Sequence, residues 1–485
     1  MSRFALAAAV GTGALILYLC ALPPGLAWWD TGEYQTVPYI AGILHPTGFP
    51  AYTISGWLFS HAFVVGNVAW RMSVMAALTG AGAAAVLAYT ARTLGASALA
   101  ALAAGVLFAT SDITWQHATH AGVESLTLLF GALAVASAAA WYQNRRGGAL
   151  VRTGLFLGLA LATHPVALWF VPGIAIFVAA GAWRRRALLR PLAFAAVALA
   201  AALALYAYLP LRSAAITAAH VDPVARVLGV PGQPFWDYDH PSTVAGFVQL
   251  VTGADFRPTS ALAALREPAR IPGYLARLRD LVVTQYGWAG ALVALAGVAA
   301  TLRRWPLALG LIVTAILVIP FSLTYDALVD PDKYYLVGMW IVALFGALGV
   351  SAFGRFEAAA ALVLAAAIGV NITHNLHFFG QRTQHDGNIV ITSVRTNTPD
   401  NAVIYAGWSY VTPLAYAAYV EKSFGDRIPV TNATRNNLAA WSKQWPVYYM
   451  PFPEDDLNVP GARLEPVANA WPKLYRVRAL SSRAH

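Results

Sequence analysis

The feature that most limits the fold of this chain is a series of long apolar segments that alternate with clusters of arginine. The first apolar run, 4–26, is long enough to cross the roughly 30 Å of hydrocarbon in a bilayer. Of the 485 residues, 58% are hydrophobic and only 11% are charged, whereas soluble domains carry about 25% charged residues. The sequence therefore predicts an α-helical polytopic membrane protein.

The arginine clusters predict the orientation of the spans, because cytoplasmic loops are enriched in basic residues. Arg3 precedes the first run, which we interpret as an uncleaved anchor with its N-terminus in the cytoplasm. If the later clusters are also cytoplasmic, the chain has about eleven spans. These clusters account for the formal net charge of +10, so no nucleic-acid partner is predicted. Their members are Arg92, Arg145, Arg146, Arg152, Arg184, Arg185, Arg186, Arg190, Arg303, Arg304 and Arg355.

Four segments are then predicted to lie outside the cytoplasm: 27–71, 112–120, 212–280 and 325–335, of which the last begins with Tyr325-Asp326 and includes Asp330. Nearly all acidic residues fall in these segments or in the C-terminal tail. A carboxylate beside a bilayer is costly, so it usually has a function. Chemistry that needs carboxylates is therefore predicted to take place on the extracytoplasmic side.

One apolar stretch, 153–183, is too long for one span and too short for two, and His164-Pro165 interrupts it near the middle. Proline ends or kinks a helix. Two interpretations stay open at this point. Either two short helices meet at an apex that places His164 at the depth of an active site, or a single kinked helix carries a buried, hydrogen-bonded histidine.

The C-terminal part of the chain has the pattern of a soluble domain. We predict a transmembrane domain over 1–375 and a small extracytoplasmic α/β domain over 376–485. Helical spacing over 411–424 ends at Gly425, a common signal for a helix C-terminus. Short apolar runs predict strands at 402–407, 427–431, 446–450 and 474–477.

The first extracytoplasmic segment contains two carboxylates and a histidine next to a rigid Pro/Gly turn. Tyr34, Val37, Ala41 and Leu44 have the spacing of a helix on the membrane surface. Asp30 and Glu33 have the spacing of a capping box at its start. Alternatively, Asp30 is a general base that takes the proton of an incoming hydroxyl. The tripeptide at 30–32 also occurs in aspartic proteases, but that chemistry needs two such carboxylates, and only one copy is present.

These motifs resemble the opening of the DUF2723 family, which includes the transmembrane protein 260-type protein O-mannosyltransferases and has the GT-C glycosyltransferase fold. Trp-Asp-Thr-Gly-Glu at 29–33 and His-Pro-Thr-Gly-Phe-Pro at 45–50 match its D-S-G-E and H-P-P-G-Y-P motifs, with Thr47 in place of a proline. Glu124 lies two positions later than the acid of the family's E-V-Y motif. Further matches follow in the same order at 158–165, 209–212, 236–247 and 332–336.

The resemblance implies transfer of a sugar, with inversion, from a polyprenyl-phosphate-linked donor to an acceptor hydroxyl outside the cytoplasm. Asp30 is then the base, and Glu33 and His45 orient acceptor or sugar. Cations that face the lipid phosphate would stabilise the leaving group, and Arg212 and Lys333 are placed for this, unless they only snorkel to the interface. The other substrate-binding residues predicted are His164, Trp236, Asp332, Tyr334 and Tyr335.

No cofactor is predicted besides the lipid-linked sugar, although a divalent metal is not excluded. His117, His120 and Glu124 have a spacing that also fits a metal triad. The expected partners are the donor, a protein, glycan or lipid acceptor, and membrane lipids. The expected location is the bacterial cytoplasmic (inner) membrane. The competing hypothesis is a transporter or flippase for a lipid-linked saccharide, but such proteins usually contain inverted repeats, and none is visible here. A scaffold without catalytic activity is the third alternative.

Overall fold

The computed structural model describes residues 1–182, 189–255, 269, 271–319, 331–453 and 455–480. The arginine cluster at 184–186 and the acidic residues at 326 and 330, to which the sequence analysis assigned sides of the membrane, lie outside the described residues. Most of the described chain is helical. Its helices are α1 Arg3–Leu19, α2 Trp29–Ile40, α3 Pro50–Ala62, α4 Val68–Leu94, α5 Ala98–Thr110, α6 Asp112–Thr119, α7 Val123–Asn144, α8 Gly147–Thr163, α9 Val171–Ala182, α10 Leu189–Leu203, α11 Tyr208–Ala218, α12 Pro223–Leu228, α13 Val244–Thr252, α14 Ile271–Thr301, α15 Trp305–Leu317, α16 Leu336–Ala352, α17 Glu357–His374, α18 Asp386–Asn397, α19 Trp408–Tyr419 and α20 Leu438–Trp441.

The chain divides into two compact units, and each unit is assembled from three stretches of sequence. The first unit is helical, and the second combines short helices with a β-sheet. The first comprises Met1–Leu22, Val74–Leu205 and Asp255–Gln381, and the second comprises Pro23–Ser73, Tyr206–Ala254 and Arg382–His485.

The chain is a multi-span membrane protein. Within the described ranges, seven helices are long and apolar enough to cross a membrane, or eight if the bent pair α5 and α6 forms one span. This number is lower than the eleven spans expected. Two of the apolar helices, α1 and α8, have only 17 residues each, fewer than the roughly 20 that a span requires. Helix α1 ends before Pro23, so it is shorter than the apolar run that predicted it.

The helices of the first unit pack closely where glycine removes the side chain. A Cβ atom added to Gly297 on α14 would lie 1.8 Å from the carbonyl oxygen of Phe345 on α16. In return, a Cβ on Gly349 of α16 would lie 1.9 Å from the carbonyl oxygen of Val293. The two backbones therefore touch at this crossing, which is typical of small residues between membrane helices.

The break that proline predicted inside the stretch 153–183 is present. Helix α8 ends at Thr163, His164 has the extended angles φ −158° and ψ 136°, and a short 3-10 helix, Pro165–Phe170, leads into α9. The alternative of a single kinked helix is therefore wrong. His164 is buried all the same, and its Nδ1 accepts a hydrogen bond from the amide of Val166 at 3.0 Å.

The second unit contains a five-stranded sheet with the order β2-β1-β3-β5-β4. Strand β1 runs parallel to β2 and β3, whereas β5 is antiparallel to β3 and β4. The four predicted strands are confirmed, and the edge strand β4, which lacks an apolar run, was missed. The strands are β1 Val403–Ala406, β2 Ile428–Val430, β3 Val447–Met450, β4 Ala462–Pro466 and β5 Tyr475–Ala479.

Two helices of this unit have boundaries that differ from the predicted ones. Helix α2 begins at Trp29 and stops at Ile40, because Ala41 takes the left-handed conformation with φ 51°. It therefore stops before Ala41 and Leu44, which the predicted spacing had included. Helix α19 follows β1 directly and ends at Tyr419, so that Gly425 (φ +66°) lies in the turn before β2 and not at the helix end.

Candidate active site

Asp30 lies in the first turn of α2 and is held by a side chain from the C-terminal part of the chain. The N-cap of this helix is Trp28, which makes no side-chain capping bond, so the capping-box alternative is wrong. Instead, Nε1 of Trp408 donates a hydrogen bond of 2.7 Å to Oδ1 of Asp30. The carboxylate is half-buried, and an acidic residue in the first turn of a helix interacts favourably with the helix dipole.

Gly32 explains how α2 approaches α19 closely enough for this contact. A Cβ atom at Gly32 would lie 2.7 Å from Oγ1 of Thr412 and 2.7 Å from the carbonyl oxygen of Ala27. Any larger residue would therefore push α2 away from α19, which carries both Thr412 and Trp408. The glycine of the Asp-Thr-Gly-Glu motif is thus required by packing around Asp30.

Glu33 is completely buried and faces His45. Its Oε1 accepts the backbone N–H of His45 at 2.9 Å, and its Oε2 makes a short contact with Nδ1 of the same residue. Burial raises the pKa of the Glu33 carboxyl, and the interactions with His45 oppose this rise. Because both carboxylate oxygens bind one residue, Glu33 fixes the position of His45.

The ring of His45 lies among aromatic side chains. Its centroid is 5.1 Å from that of Phe49, 5.7 Å from that of Tyr34 and 6.1 Å from that of Trp408. A carboxylate that accepts at Nδ1 selects the tautomer with its proton on Nδ1, so that Nε2 is the acceptor nitrogen. This arrangement suits a histidine that orients a hydroxyl group.

The turn after His45 is built from residues with special backbone requirements. Gly48 has φ +82°, and a Cβ there would lie 3.0 Å from the side chain of Leu209. The adjacent Phe49 also has a positive φ, of 41°, and Pro50 starts α3. The Pro-Thr-Gly-Phe-Pro sequence therefore sets the turn that positions His45.

Arg212 and Trp236 belong to the same unit but make structural contacts. Nε of Arg212 donates to the carbonyl oxygen of Ala41 at 2.6 Å, and Nη2 donates to that of Ile40 at 3.3 Å. Arg212 thus caps the C-terminal end of α2, where a cation is favourable. The ring of Trp236 contacts that of Tyr419 edge-on, with 5.7 Å between centroids.

A second group of predicted residues lines a small pocket in the first unit. Lys333 and Glu124 form an ion pair with Nζ to Oε1 at 3.4 Å, and both side chains are nearly buried. The ammonium group also lies 5.5 Å from the ring centroid of Tyr334, whose ring is 5.3 Å from that of His164. We name these four residues, Glu124, His164, Lys333 and Tyr334, the lysine pocket.

Three helical segments begin at the lysine pocket. Helix α7 starts at Val123, the 3-10 helix starts at Pro165, and α16 starts at Leu336; Val123 and Leu336 themselves line the cavity. The first amides of the 3-10 helix bond His164, and α16 continues directly from a 3-10 helix at 331–335. Of the three segments, α7 is the one that presents an open N-terminus, with no side-chain bond at its N-cap Gly122, and such an N-terminus is favourable for an anion. Together with the lysine, the arrangement is chemically suited to a phosphate group.

The structure does not bring Asp332 and Tyr335 into this pocket. Asp332 accepts a hydrogen bond of 2.7 Å from Nη2 of Arg277. Tyr335 is buried, and its ring packs against Gly338, where a Cβ atom would lie only 2.4 Å away. Both residues are therefore next to the lysine pocket in sequence, but neither lines the cavity.

The metal triad suggested by spacing is not formed. Within the ranges that the structure describes, no three His, Cys, Asp or Glu residues are grouped so that they could hold a metal ion. Nδ1 of His120 bonds the carbonyl oxygen of Gln116 at 2.9 Å, and Glu124 pairs with Lys333.

Comparisons with known proteins agree with the motif resemblance. Residues 30–187 match the model of the Protein O-mannosyl-transferase TMEM260 N-terminal domain. The Protein O-mannosyl-transferase TMEM260 of Mus musculus is 39% identical over 129 residues, which are 26% of this chain and 18% of the relative. The Dictyostelium discoideum protein of the same name is 27% identical over 133 residues, 27% of this chain and 16% of the relative. The resemblance is confirmed for this region. The chain thus spans less than a fifth of these relatives.

The fold is similar to that of solved bacterial structures over nearly the whole chain. ArnT from Cupriavidus metallidurans in the apo state aligns with a TM-score of 0.56 and 14% identity, covering 98% of this chain and 97% of ArnT. The same protein bound to undecaprenyl phosphate gives a TM-score of 0.54 and 14% identity, with 99% and 98% covered. The predicted GT-C-like fold with a small C-terminal α/β part is thereby confirmed.

The region matched by the TMEM260 model contains part of each site. Asp30, Glu33 and His45 fall inside residues 30–187, as do Glu124 and His164 of the lysine pocket. Trp408 lies outside this region. Sequence reasoning missed Trp408, since nothing local to its position in the chain indicates a partner 378 residues away. It also underestimated Glu124, whose shifted position concealed its role as the partner of Lys333.

Proposed function

We propose that this chain is a GT-C-type membrane glycosyltransferase that moves a sugar from a polyprenyl-phosphate-linked donor to an acceptor hydroxyl. The transfer takes place with inversion on the extracytoplasmic side of a bacterial cytoplasmic membrane. The observation that carries the proposal is the half-buried carboxylate of Asp30, which lies in the region that matches the TMEM260 model and accepts a hydrogen bond from Trp408. The names of the relatives favour mannose as the sugar.

In the proposed reaction, the acceptor oxygen forms a bond to the anomeric carbon while the bond from that carbon to the phosphate oxygen breaks. The proton of the acceptor hydroxyl moves to Asp30, and the electron pair of the broken bond leaves with the polyprenyl phosphate. An indole N–H holds the carboxylate of Asp30 in a fixed orientation, which suits it to take the proton. General-base catalysis of this kind contributes about 10²- to 10⁴-fold.

Glu33 and His45 have an indirect role in this proposal. Glu33 is buried and uses both of its oxygens on His45, so we assign it a positioning role rather than proton transfer from the acceptor. His45 then orients the acceptor or the sugar through Nε2.

The lysine pocket is the proposed site for the phosphate of the donor. Negative charge grows on this phosphate as the sugar leaves, and a cation facing it lowers the barrier. Lys333 supplies the charge, and the N-terminus of α7 at Val123 adds a favourable dipole. ArnT in its complex with undecaprenyl phosphate is a protein of similar fold with a ligand of this class. The acceptor remains a protein, a glycan or a lipid in this proposal.

The test uses purified protein in nanodiscs with a panel of polyprenyl-phosphate sugars, and it measures the release of polyprenyl phosphate. We expect release by the wild type and a loss of about 10²-fold or more for Asp30→Asn, since the amide cannot take a proton. Asp386→Asn is the matched control, because Asp386 is also an acidic residue in the first turn of a helix, α18, in the same unit.

A different result would favour transport. If no donor is cleaved, yet a lipid-linked sugar raises the melting temperature of wild type and Asp30→Asn equally, the enzyme proposal fails. A proteoliposome assay that detects movement of the lipid-linked sugar between leaflets would then support the flippase alternative.

A further inference from the structure

The C-terminal α/β segment supplies one side chain to the proposed catalytic carboxylate. Trp408 is the first residue of α19, directly after β1 and the extended Gly407. Its position is therefore set by the parallel part of the sheet, in which β1 pairs with β2 on one side and β3 on the other. From there the indole reaches Asp30 at 2.7 Å.

The ring of Trp408 is held by contacts with two other rings. It stacks on Phe235, with 5.9 Å between centroids and an angle of 5° between planes. It also meets the ring of His45 edge-on, at 6.1 Å and 87°. Because His45 is fixed by Glu33, the contacts run from Glu33 through His45 and Trp408 to Asp30. The indole N–H therefore has a defined direction toward the carboxylate.

We propose that Trp408 is a positioning residue for Asp30, which makes the C-terminal segment part of the catalytic site. This inference rests on the proposed function of Asp30 as the base. The N–H group binds a carboxylate oxygen and so fixes the orientation in which Asp30 meets the acceptor hydroxyl. It also favours the charged form of Asp30, which is the form that takes a proton. A purely structural tryptophan would contribute packing alone.

The experiment compares Trp408→Phe with Trp28→Phe. Phenylalanine keeps an aromatic ring but lacks the N–H group. Trp28 is the matched control, because it is two residues from Asp30, contacts Tyr410 edge-on, and its Nε1 has no hydrogen-bond partner within the described part of the chain. Both variants lose the same atoms, and only one loses a hydrogen bond.

For Trp408→Phe we expect kcat to fall about 10-fold, the size of a hydrogen bond to a charged group, while KM for the donor changes less than about twofold. The acid limb of the kcat profile should move to higher pH, because the carboxylate is protonated more easily without the donor. Trp28→Phe should keep both the rate and the profile. Equal kinetics of the two variants, or an unchanged acid limb, would overturn the inference.

A double-mutant cycle on melting temperatures tests the hydrogen bond between Trp408 and Asp30 and requires no activity assay. Wild type, Trp408→Phe, Asp30→Ala and the double variant are compared in nanodiscs. We expect Trp408→Phe to lower the melting temperature more in the wild-type background than in Asp30→Ala, since only the former retains the hydrogen bond. Additive changes would refute the contact and with it the positioning role. Coupled changes in a protein that cleaves no donor would refute the role in catalysis and the proposed function, but not the contact.

Discussion

The two candidate sites hold their carboxylates by opposite means. In the second unit, Asp30 and Glu33 accept hydrogen bonds from neutral or histidine N–H groups. In the first unit, Glu124 faces the ammonium group of Lys333. A neutral N–H group fixes a carboxylate without supplying a full positive charge, which suits a base. An ion pair cancels both charges until another anion competes for the cation, which suits an anion-binding pocket.

Replacement of Lys333 is the strongest test of the proposal that the lysine pocket binds the donor phosphate. We expect Lys333→Met to weaken binding of undecaprenyl phosphate about 10- to 100-fold, the range of one hydrogen bond to a charged group. The measurement is a titration with undecaprenyl phosphate in nanodiscs. Lys443→Met is the control, because Lys443 is an exposed lysine of the other unit.

Loss of Lys333 also leaves Glu124 without its counter-ion, which destabilises the protein. The double variant Lys333→Met/Glu124→Gln separates the two effects. It should regain melting temperature relative to Lys333→Met and still fail to bind the phosphate. Restored binding in the double variant would show that Lys333 serves folding only.

Removal of the anion from the same pair should have a smaller effect of opposite sign. Glu124→Gln takes away the group that competes with phosphate for Lys333, so we expect undecaprenyl phosphate to bind about threefold more tightly, as for an ion pair worth somewhat less than 1 kcal/mol. Glu357→Gln on α17 of the same unit is the control. Weaker binding to Glu124→Gln would mean that the carboxylate itself contacts the ligand.

The smallest expected effect is on the pH dependence of stability, and it tests the site that contains Glu33. Burial raises the pKa of Glu33 above its ordinary value, so the folded protein binds this proton more tightly than the unfolded chain. The wild type should therefore lose stability as pH rises from the ordinary glutamate pKa through the raised one.

Glu33→Gln has no such proton. As pH rises through the same window, its melting temperature should increase by a few degrees relative to that of the wild type. The exposed residue Glu421 provides the control variant Glu421→Gln, which should follow the wild type at every pH. Parallel melting curves for wild type and Glu33→Gln would show that His45 keeps the carboxylate charged throughout.

Several elements of the fold could be read from the sequence because their signals are local. Apolar runs predicted the membrane helices, Pro165 predicted the break at His164, and short apolar runs predicted four of the five strands. Helix ends were less accurate. Helix α2 ends at the left-handed residue Ala41, where Arg212 donates hydrogen bonds to the carbonyl oxygens of Ile40 and Ala41. Arg212 is 171 or more residues away in the chain, so no local pattern indicates this contact.

The sequence by itself determined the membrane class and the family resemblance of residues 30–187, and it selected Asp30, Glu33 and His45 as candidates, since each depends on composition or on a short motif. Only the tertiary structure decided the partners. Asp30 binds an indole 378 residues away, and Lys333 binds a glutamate that its motif position had obscured. Such pairs form because packing brings distant segments together, and burial then requires each polar group to find a partner.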